Sequence, residues 1–140
     1  MLLMPRRVKH RKEQRGRRAG ISKGATRLDF GSYGLKAEEN CWMNARQIEA
    51  MRVCLTRGLK KGGKLWIRLF PSKPVSAKPL ETRMGKGKAA PSFWVAVVKR
   101  GRILVELDGV SRDVAFAALH QAGYKLPIRT RVVERAQEER

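Results

Sequence analysis

Met43-Asn44-Ala45-Arg46-Gln47-Ile48-Glu49-Ala50-Met51-Arg52-Val53-Cys54-Leu55-Thr56-Arg57-Gly58-Leu59 is the stretch from which the fold is read. Asn44 suits a helix N-cap, because its side-chain oxygen accepts from a backbone N–H that the first turn leaves unpaired. Gln47 stands where it can answer with its own side chain, completing a capping box, and Met43 and Ile48 are spaced as a hydrophobic staple. Ile48, Met51, Leu55 and Leu59 recur at helical spacing and mark one apolar face. Arg46, Arg52 and Arg57 fall on other faces. Gly58, Gly62 and Gly63 predict the stop, with Lys60 and Lys61 favourable beside the negative end of the helix dipole.

Strand patterns lie on both sides of this helix. Upstream, Arg27-Leu28-Asp29-Phe30 and Leu35-Lys36-Ala37 alternate in polarity about the turn Gly31-Ser32-Tyr33-Gly34 and predict a short strand pair. Downstream, Lys64–Phe70 alternates in part. Residues 71–92 hold Pro71, Pro74, Pro79 and Pro91 and read as a long loop. Phe93–Val98 and Ile103–Leu107 read as strands joined by the turn Lys99-Arg100-Gly101-Arg102. Ser111 is placed to cap a second helix, with Asp113 in its first turn, Ala115, Ala118, Leu119 and Ala122 on one face and Gly123 at its end. Ile128–Val133 reads as a last strand. Lys64-Leu65-Trp66-Ile67-Arg68 and Lys125-Leu126-Pro127-Ile128-Arg129 agree in four of five positions, and each follows a glycine-terminated helix. These elements predict an α+β domain, two helices packed on a mostly antiparallel sheet.

The chain has 140 residues, enough for one domain. Its 32 Lys and Arg stand against 12 acids, a net charge of +20. That excess repels itself in a compact fold and makes sense beside a polyanion whose counterions are released on binding. Between residues 6 and 27 ten cations accompany one acid, Glu13, with few apolar residues. Such a segment does not bury enough surface to fold alone and is expected to be an extended arm ordered by its partner. The expected division is a basic arm over 1–27, one domain over 28–135 containing the 71–92 loop, and a polar tail over 136–140. No apolar run approaches the length of a membrane span, and no membrane partner is expected. No presequence is apparent, which favours a bacterial or organelle-encoded product over an imported precursor. Cys41 and Cys54 form no CxxC pair and lie far in sequence from His10 and His120, so neither a zinc site nor any other cofactor is expected. Free thiols acting as small apolar fillers are the favoured reading, with a disulfide as the alternative.

Chemistry-bearing motifs are scarce. Gly58-Leu59-Lys60-Lys61-Gly62-Gly63-Lys64-Leu65 fits GxxxxGK, but Leu65 replaces the magnesium-binding hydroxyl. The motif also follows a helix and precedes a strand, so no helix N-terminus faces the phosphates. The acids are scattered and neither histidine has a nucleophile near it in sequence, so no enzymatic activity is expected. His120 reads as an ordinary helix residue and His10 as an RNA contact. Trp66 and Trp94 lie in strand patterns that favour a core role. Trp42 is the more open tryptophan, and Phe30 and Tyr33, among basic neighbours, are stacking candidates.

Several motifs together resemble one family. Met4-Pro5-Arg6-Arg7, Arg11-Lys12, Arg15-Gly16-Arg17, Phe30-Gly31-Ser32-Tyr33-Gly34-Leu35, Ala45-Arg46-Gln47-Ile48-Glu49-Ala50 and Gly63-Lys64-Leu65-Trp66-Ile67-Arg68 are followed by Lys78-Pro79-Leu80-Glu81, Arg83-Met84-Gly85-Lys86-Gly87-Lys88 and Lys125-Leu126-Pro127-Ile128-Arg129. In this order, up to Val133, they are similar to the universal large-subunit ribosomal protein number sixteen, in its bacterial or organellar form. The resemblance implies an α/β-hammerhead fold. It also implies a place on 23S rRNA, in the vicinity of 5S rRNA and among neighbouring large-subunit proteins, in a bacterial or an organellar ribosome. It gives Arg83, Met84, Gly85, Lys86, Gly87 and Lys88 the family's tRNA-proximal loop, directed at A-site, and secondarily P-site, tRNA near the peptidyl-transferase centre. Ala89-Ala90 departs from the family's further glycine, and Cys41-Trp42-Met43-Asn44 departs from the commoner Thr or Ser cap.

The expected function is therefore structural: a large-subunit protein that braces rRNA by phosphate contacts, which position without reading sequence. The nominated rRNA-binding residues are Arg6, Arg7, Lys9, His10, Arg11, Lys12, Arg15, Arg17, Arg18 and Lys23 in the arm, with Arg46, Lys60, Lys61 and Lys64 in the domain. The alternative is a free-standing RNA-binding or ribosome-assembly factor.

Overall fold

The computed structural model describes residues 3–60 and 62–135; Lys61 and the 136–140 tail lie outside the described residues. Helix α1 (Ala45–Leu59) starts where its capping box predicts. The Asn44 Oδ1 accepts from the Gln47 N–H at 2.9 Å, and the Gln47 Oε1 accepts from the Asn44 N–H at 3.1 Å. Ile48, Met51, Leu55 and Leu59 are its buried face. Gly58 does not stop it. A Cβ there would stand 3.1 Å from the Ala118 Cβ, so Gly58 is the point of close approach between α1 and α2 (Arg112–Gly123). Helix α2 buries Ala115, Ala118, Leu119 and Ala122 as the pattern predicts. Ser111 takes the cap position with extended backbone, but its hydroxyl makes no capping bond. Two short helices thus pack on each other through small residues.

The strands form two sheets rather than one. β3 (Lys64–Ile67), β6 (Ile103–Asp108), β1 (Tyr33–Ala37) and β7 (Thr130–Glu134) lie side by side in that order, all antiparallel. β2 (Cys41–Asn44), β5 (Pro91–Val98) and β4 (Lys73–Ser76) make a second antiparallel sheet. The turn at Lys99–Arg102 joins β5 to β6 and so links the two. The larger core cluster takes its residues from both helices and both sheets, with Leu35, Met43, Leu55, Val98, Leu104 and Leu119 among its members. The architecture is α+β.

Several sequence boundaries need correction. The expected strand Arg27–Phe30 is not a strand, because its backbone donors are taken by a side chain. The N–H groups of Asp29, Phe30 and Gly31 bond the Glu106 carboxylate. The loop expected over 71–92 contains β4 and the first residues of β5, leaving 71–72 and 77–90 outside the strands. Pro74 is tolerated within β4 because β4 is an edge strand, where a missing donor breaks no ladder. Lys64–Phe70 pairs only over Lys64–Ile67. Ile128–Val133 is displaced to Thr130–Glu134, and residues 125–129 instead form a turn that buries Leu126 and Ile128. The echo between 64–68 and 125–129 is therefore one of burial and not of strand structure. β2 was hidden by its brevity beside the helix.

Cys41 and Cys54 are free thiols. Burial pushes the Cys41 thiol up to about 11; the nearby Arg18 opposes this and Glu39 adds to it. Cys41 thus behaves as an apolar filler.

Candidate nucleic-acid interface

The cations of the arm have nowhere to bury. Arg6, Arg7, Lys9, His10, Arg11, Lys12, Arg15, Arg17, Arg18 and Lys23 are all exposed. The arm nevertheless follows a defined path across the second sheet. The Arg18 guanidinium lies 4.2 Å from the Trp42 ring centroid, and the Lys73 ammonium reaches the same ring at 5.3 Å. Lys73 also donates to the Gln14 carbonyl at 3.0 Å. Asn40 donates to Gly20 O at 3.1 Å, the Ser22 N–H donates to Arg100 O at 3.0 Å, and Ile21 forms a single bridge with Arg100. Trp42, expected to be the open tryptophan, is therefore engaged by two cations of its own chain.

Just beyond the arm, residues 29–31 are held by Glu106. This carboxylate is completely buried on β6, with Val105 and Leu107 as its chain neighbours. It accepts from the N–H groups of Asp29 at 3.3 Å and of Phe30 and Gly31 at 2.7 Å each. Arg68 donates to it at 2.7 Å, and also to Asp29 Oδ2 at 3.0 Å and to Arg27 O at 2.8 Å. Burial alone would raise the Glu106 carboxyl. The three backbone donors and Arg68 outweigh burial and hold it below its ordinary value of 4.5. Leu28 packs beside this site with Ile103 and Val133, so the 28–31 segment covers the face of the larger sheet opposite the helices. The neighbouring Arg102 is pulled down by desolvation and by Arg68, and it donates to Val97 O and Arg68 O.

The loop nominated for tRNA projects without cover. Arg83, Gly85, Lys86, Gly87 and Lys88 are exposed, Met84 is 98% exposed, and the nearby Leu80 is fully exposed. Gly85, Lys86 and Gly87 have φ of 108°, 62° and 78°, three successive residues in the left-handed region. No atom crowds either glycine, so the φ angles alone select glycine there. Lysines tie this loop to the arm. Lys12 donates to Lys88 O at 2.7 Å, Lys88 donates to Glu13 O, and Lys78 donates across the loop to Gly85 O at 2.7 Å.

The other nominated residues are dispersed. Arg46 is exposed on the first turn of α1, Lys60 is exposed just after its end with φ of 54°, and Lys64 is exposed at the start of β3; Lys61 lies outside the described residues. The arm and the loop are thus brought together, while Arg46, Lys60 and Lys64 stand on separate elements. His120 is exposed and shares a 2.9 Å hydrogen bond with Tyr124. Tyr33 packs edge-on against Phe116 with centroids 6.1 Å apart and is half-buried. Sequence reasoning missed Lys73 and Glu106. Glu106 carried a signal, a lone acid in an apolar strand; Lys73 sat in a segment read as loop. Among the described residues no group of His, Cys, Asp and Glu is arranged to hold a metal, and no helix is long and apolar enough to cross a membrane.

A small α+β domain with an exposed basic arm laid against an exposed basic glycine loop has the surface of a polyanion-binding protein. Residues 5–133 match the family described as Ribosomal protein L16p/L10e, and the chain belongs to that family. It is a structural ribosomal protein of the large subunit, a component of translation whose partners are rRNA and other subunit proteins.

Proposed function

We propose that the arm binds 23S rRNA in the vicinity of 5S rRNA and that the 83–88 loop contacts A-site, and secondarily P-site, tRNA near the peptidyl-transferase centre. Family membership over residues 5–133 supports the rRNA part. The observation that carries the tRNA part is the loop itself. Arg83, Lys86 and Lys88 are exposed on a bare backbone whose inner side is tied to the arm through Lys12, Lys88 and Glu13. A cationic loop stiffened from behind suits close approach to a phosphate backbone, since little ordering remains to oppose binding. Arm cations, with Arg46, Lys60, Lys61 and Lys64, serve as phosphate contacts. The protein does no chemistry in this reading.

Sedimentation tests the assignment. Stoichiometric presence in the large subunit, retained through a high-salt sucrose gradient, is expected. Substoichiometric presence, or loss from the subunit in high salt, would instead identify a free-standing RNA-binding or assembly factor.

A further inference from the structure

Phe30 and Trp66 stack with ring centroids 6.2 Å apart and an interplanar angle of 22°. Trp66 was expected in the core; it is half-exposed on the larger sheet, whose register sets it opposite Glu106. Phe30 lies over it and remains 54% exposed. An aromatic ring left in water gains nothing for the fold from its open surface. Yet the backbone that carries this ring is fixed with unusual care. The Phe30 N–H bonds a wholly buried carboxylate at 2.7 Å, and so do the N–H groups on either side of it. The pair is bordered by cations. Alternation along β3 puts Lys64 on the same side as Trp66, and the Arg68 guanidinium lies 5.4 Å from the Phe30 centroid. Arg68 is committed to Glu106 and Asp29, which leaves the exposed Arg27 and Lys64 for other anions. β3 is an edge strand, so among the described residues no further strand closes this side.

We infer that the Phe30–Trp66 pair is a stacking platform for an unpaired nucleobase of rRNA, with Arg27 and Lys64 meeting the flanking phosphates. The inference rests on the rRNA binding proposed above and gives it a base-contacting subsite apart from the arm. Stacking on an aromatic face is open to every base, and its strength does not depend on salt as phosphate contacts do. An apolar protein surface is the weaker occupant, because it would desolvate Arg27 and Lys64 without pairing them.

The test measures binding of the full chain to large-subunit rRNA across a salt series. Phe30→Leu keeps an apolar side chain and removes the aromatic face; it is expected to weaken binding by about 5- to 150-fold with an unchanged salt slope. Phe30→Tyr should bind like the unsubstituted chain, whereas Lys64→Ala should reduce the slope by about one unit. Ultraviolet cross-linking of the unsubstituted protein to rRNA should yield an adduct on the peptide carrying Phe30, a readout independent of any variant's folding. Unchanged binding by Phe30→Leu overturns the inference and leaves the patch to a protein neighbour. A loss shared by Phe30→Tyr, a fallen salt slope in Phe30→Leu, or absence of the adduct overturns it too. If the unsubstituted chain shows no salt-dependent rRNA binding, the parent reading fails and takes this one with it. Tight parental binding with an indifferent Phe30→Leu removes only the platform.

Discussion

Glu106 shows how a single residue joins two parts of this chain. Four donors surround a carboxylate that water does not reach. Glu106→Gln would leave Arg68 without its buried partner and set an amide NH₂ against backbone donors. Removing one member of a buried ion pair typically costs about 3–5 kcal/mol, and a loss of that order is expected in chemical denaturation. Because the folded-state value lies below the ordinary one, the carboxylate stabilises the fold above pH 4.5 and loses that contribution as pH falls below it. Acid titration of the melting temperature should therefore show a steeper decline below that value in the parent chain than in Glu106→Gln. Asn44 makes a smaller, local contribution. Asn44→Ala should cost about 1 kcal/mol and Asn44→Ser nearly nothing, as judged by thermal melts. The Asn44 cap was legible in sequence because its partner is three residues away. The Glu106 site was not, because its backbone partners are 75 to 77 residues away.

Among the elements, the helices were the readable ones and the short strands were not. A helix announces itself through periodicity and caps within one stretch, and both helices lie close to where the pattern puts them. A four-residue strand carries too little periodicity, and β2 and β4 are each that short. Pro74 misdirects further, since proline argues for a loop until the strand is known to lie at an edge. The arm and the loop were legible as basic and exposed; their lysine-to-carbonyl ties were not, because any lysine and any carbonyl can pair. These two elements should fail differently. Replacing Arg83, Lys86 and Lys88 together with Ala should leave the protein folded and incorporated into the large subunit while weakening A-site tRNA binding. Occupancy in purified subunits and tRNA binding to them are the paired measurements. Failure to incorporate would make the loop an rRNA anchor; normal tRNA binding would remove its proposed role. Between Arg6 and Gly20 the arm's backbone ties run through carbonyls, those of Glu13, Gln14 and Gly20, which accept from side chains; its amide hydrogens should therefore exchange freely in the isolated protein. Strong protection before rRNA is added would contradict that.

For the molecule as a whole, charge is the property that sequence disclosed most directly, and the fold distributes it unevenly. Helix α2 carries one arginine and one aspartate, Arg112 and Asp113, which cancel, while the arm alone holds ten cations. Binding to rRNA is accordingly expected to be steeply salt-dependent. If six to ten arm and domain cations meet phosphates, affinity should fall by roughly 10³- to 10⁵-fold between 50 and 200 mM salt. Filter binding over that range measures it, and a shallow slope would mean that few of the nominated residues touch phosphate. Sequence could show that a polyanion was the partner. It could not show that Phe30 and Trp66 meet, since the two belong to different elements and are joined only by the fold.

The clamp on residues 29–31 also has a consequence in time. Gly31 leaves the synthesising machinery 75 residues before the glutamate that will hold it. At typical elongation rates of about 5–20 residues per second that interval is roughly 4–15 s. Throughout it the nascent chain trails a strongly cationic leader whose inner end has no clamp to close on. The leader is thus available to any nearby polyanion before the domain exists to direct it.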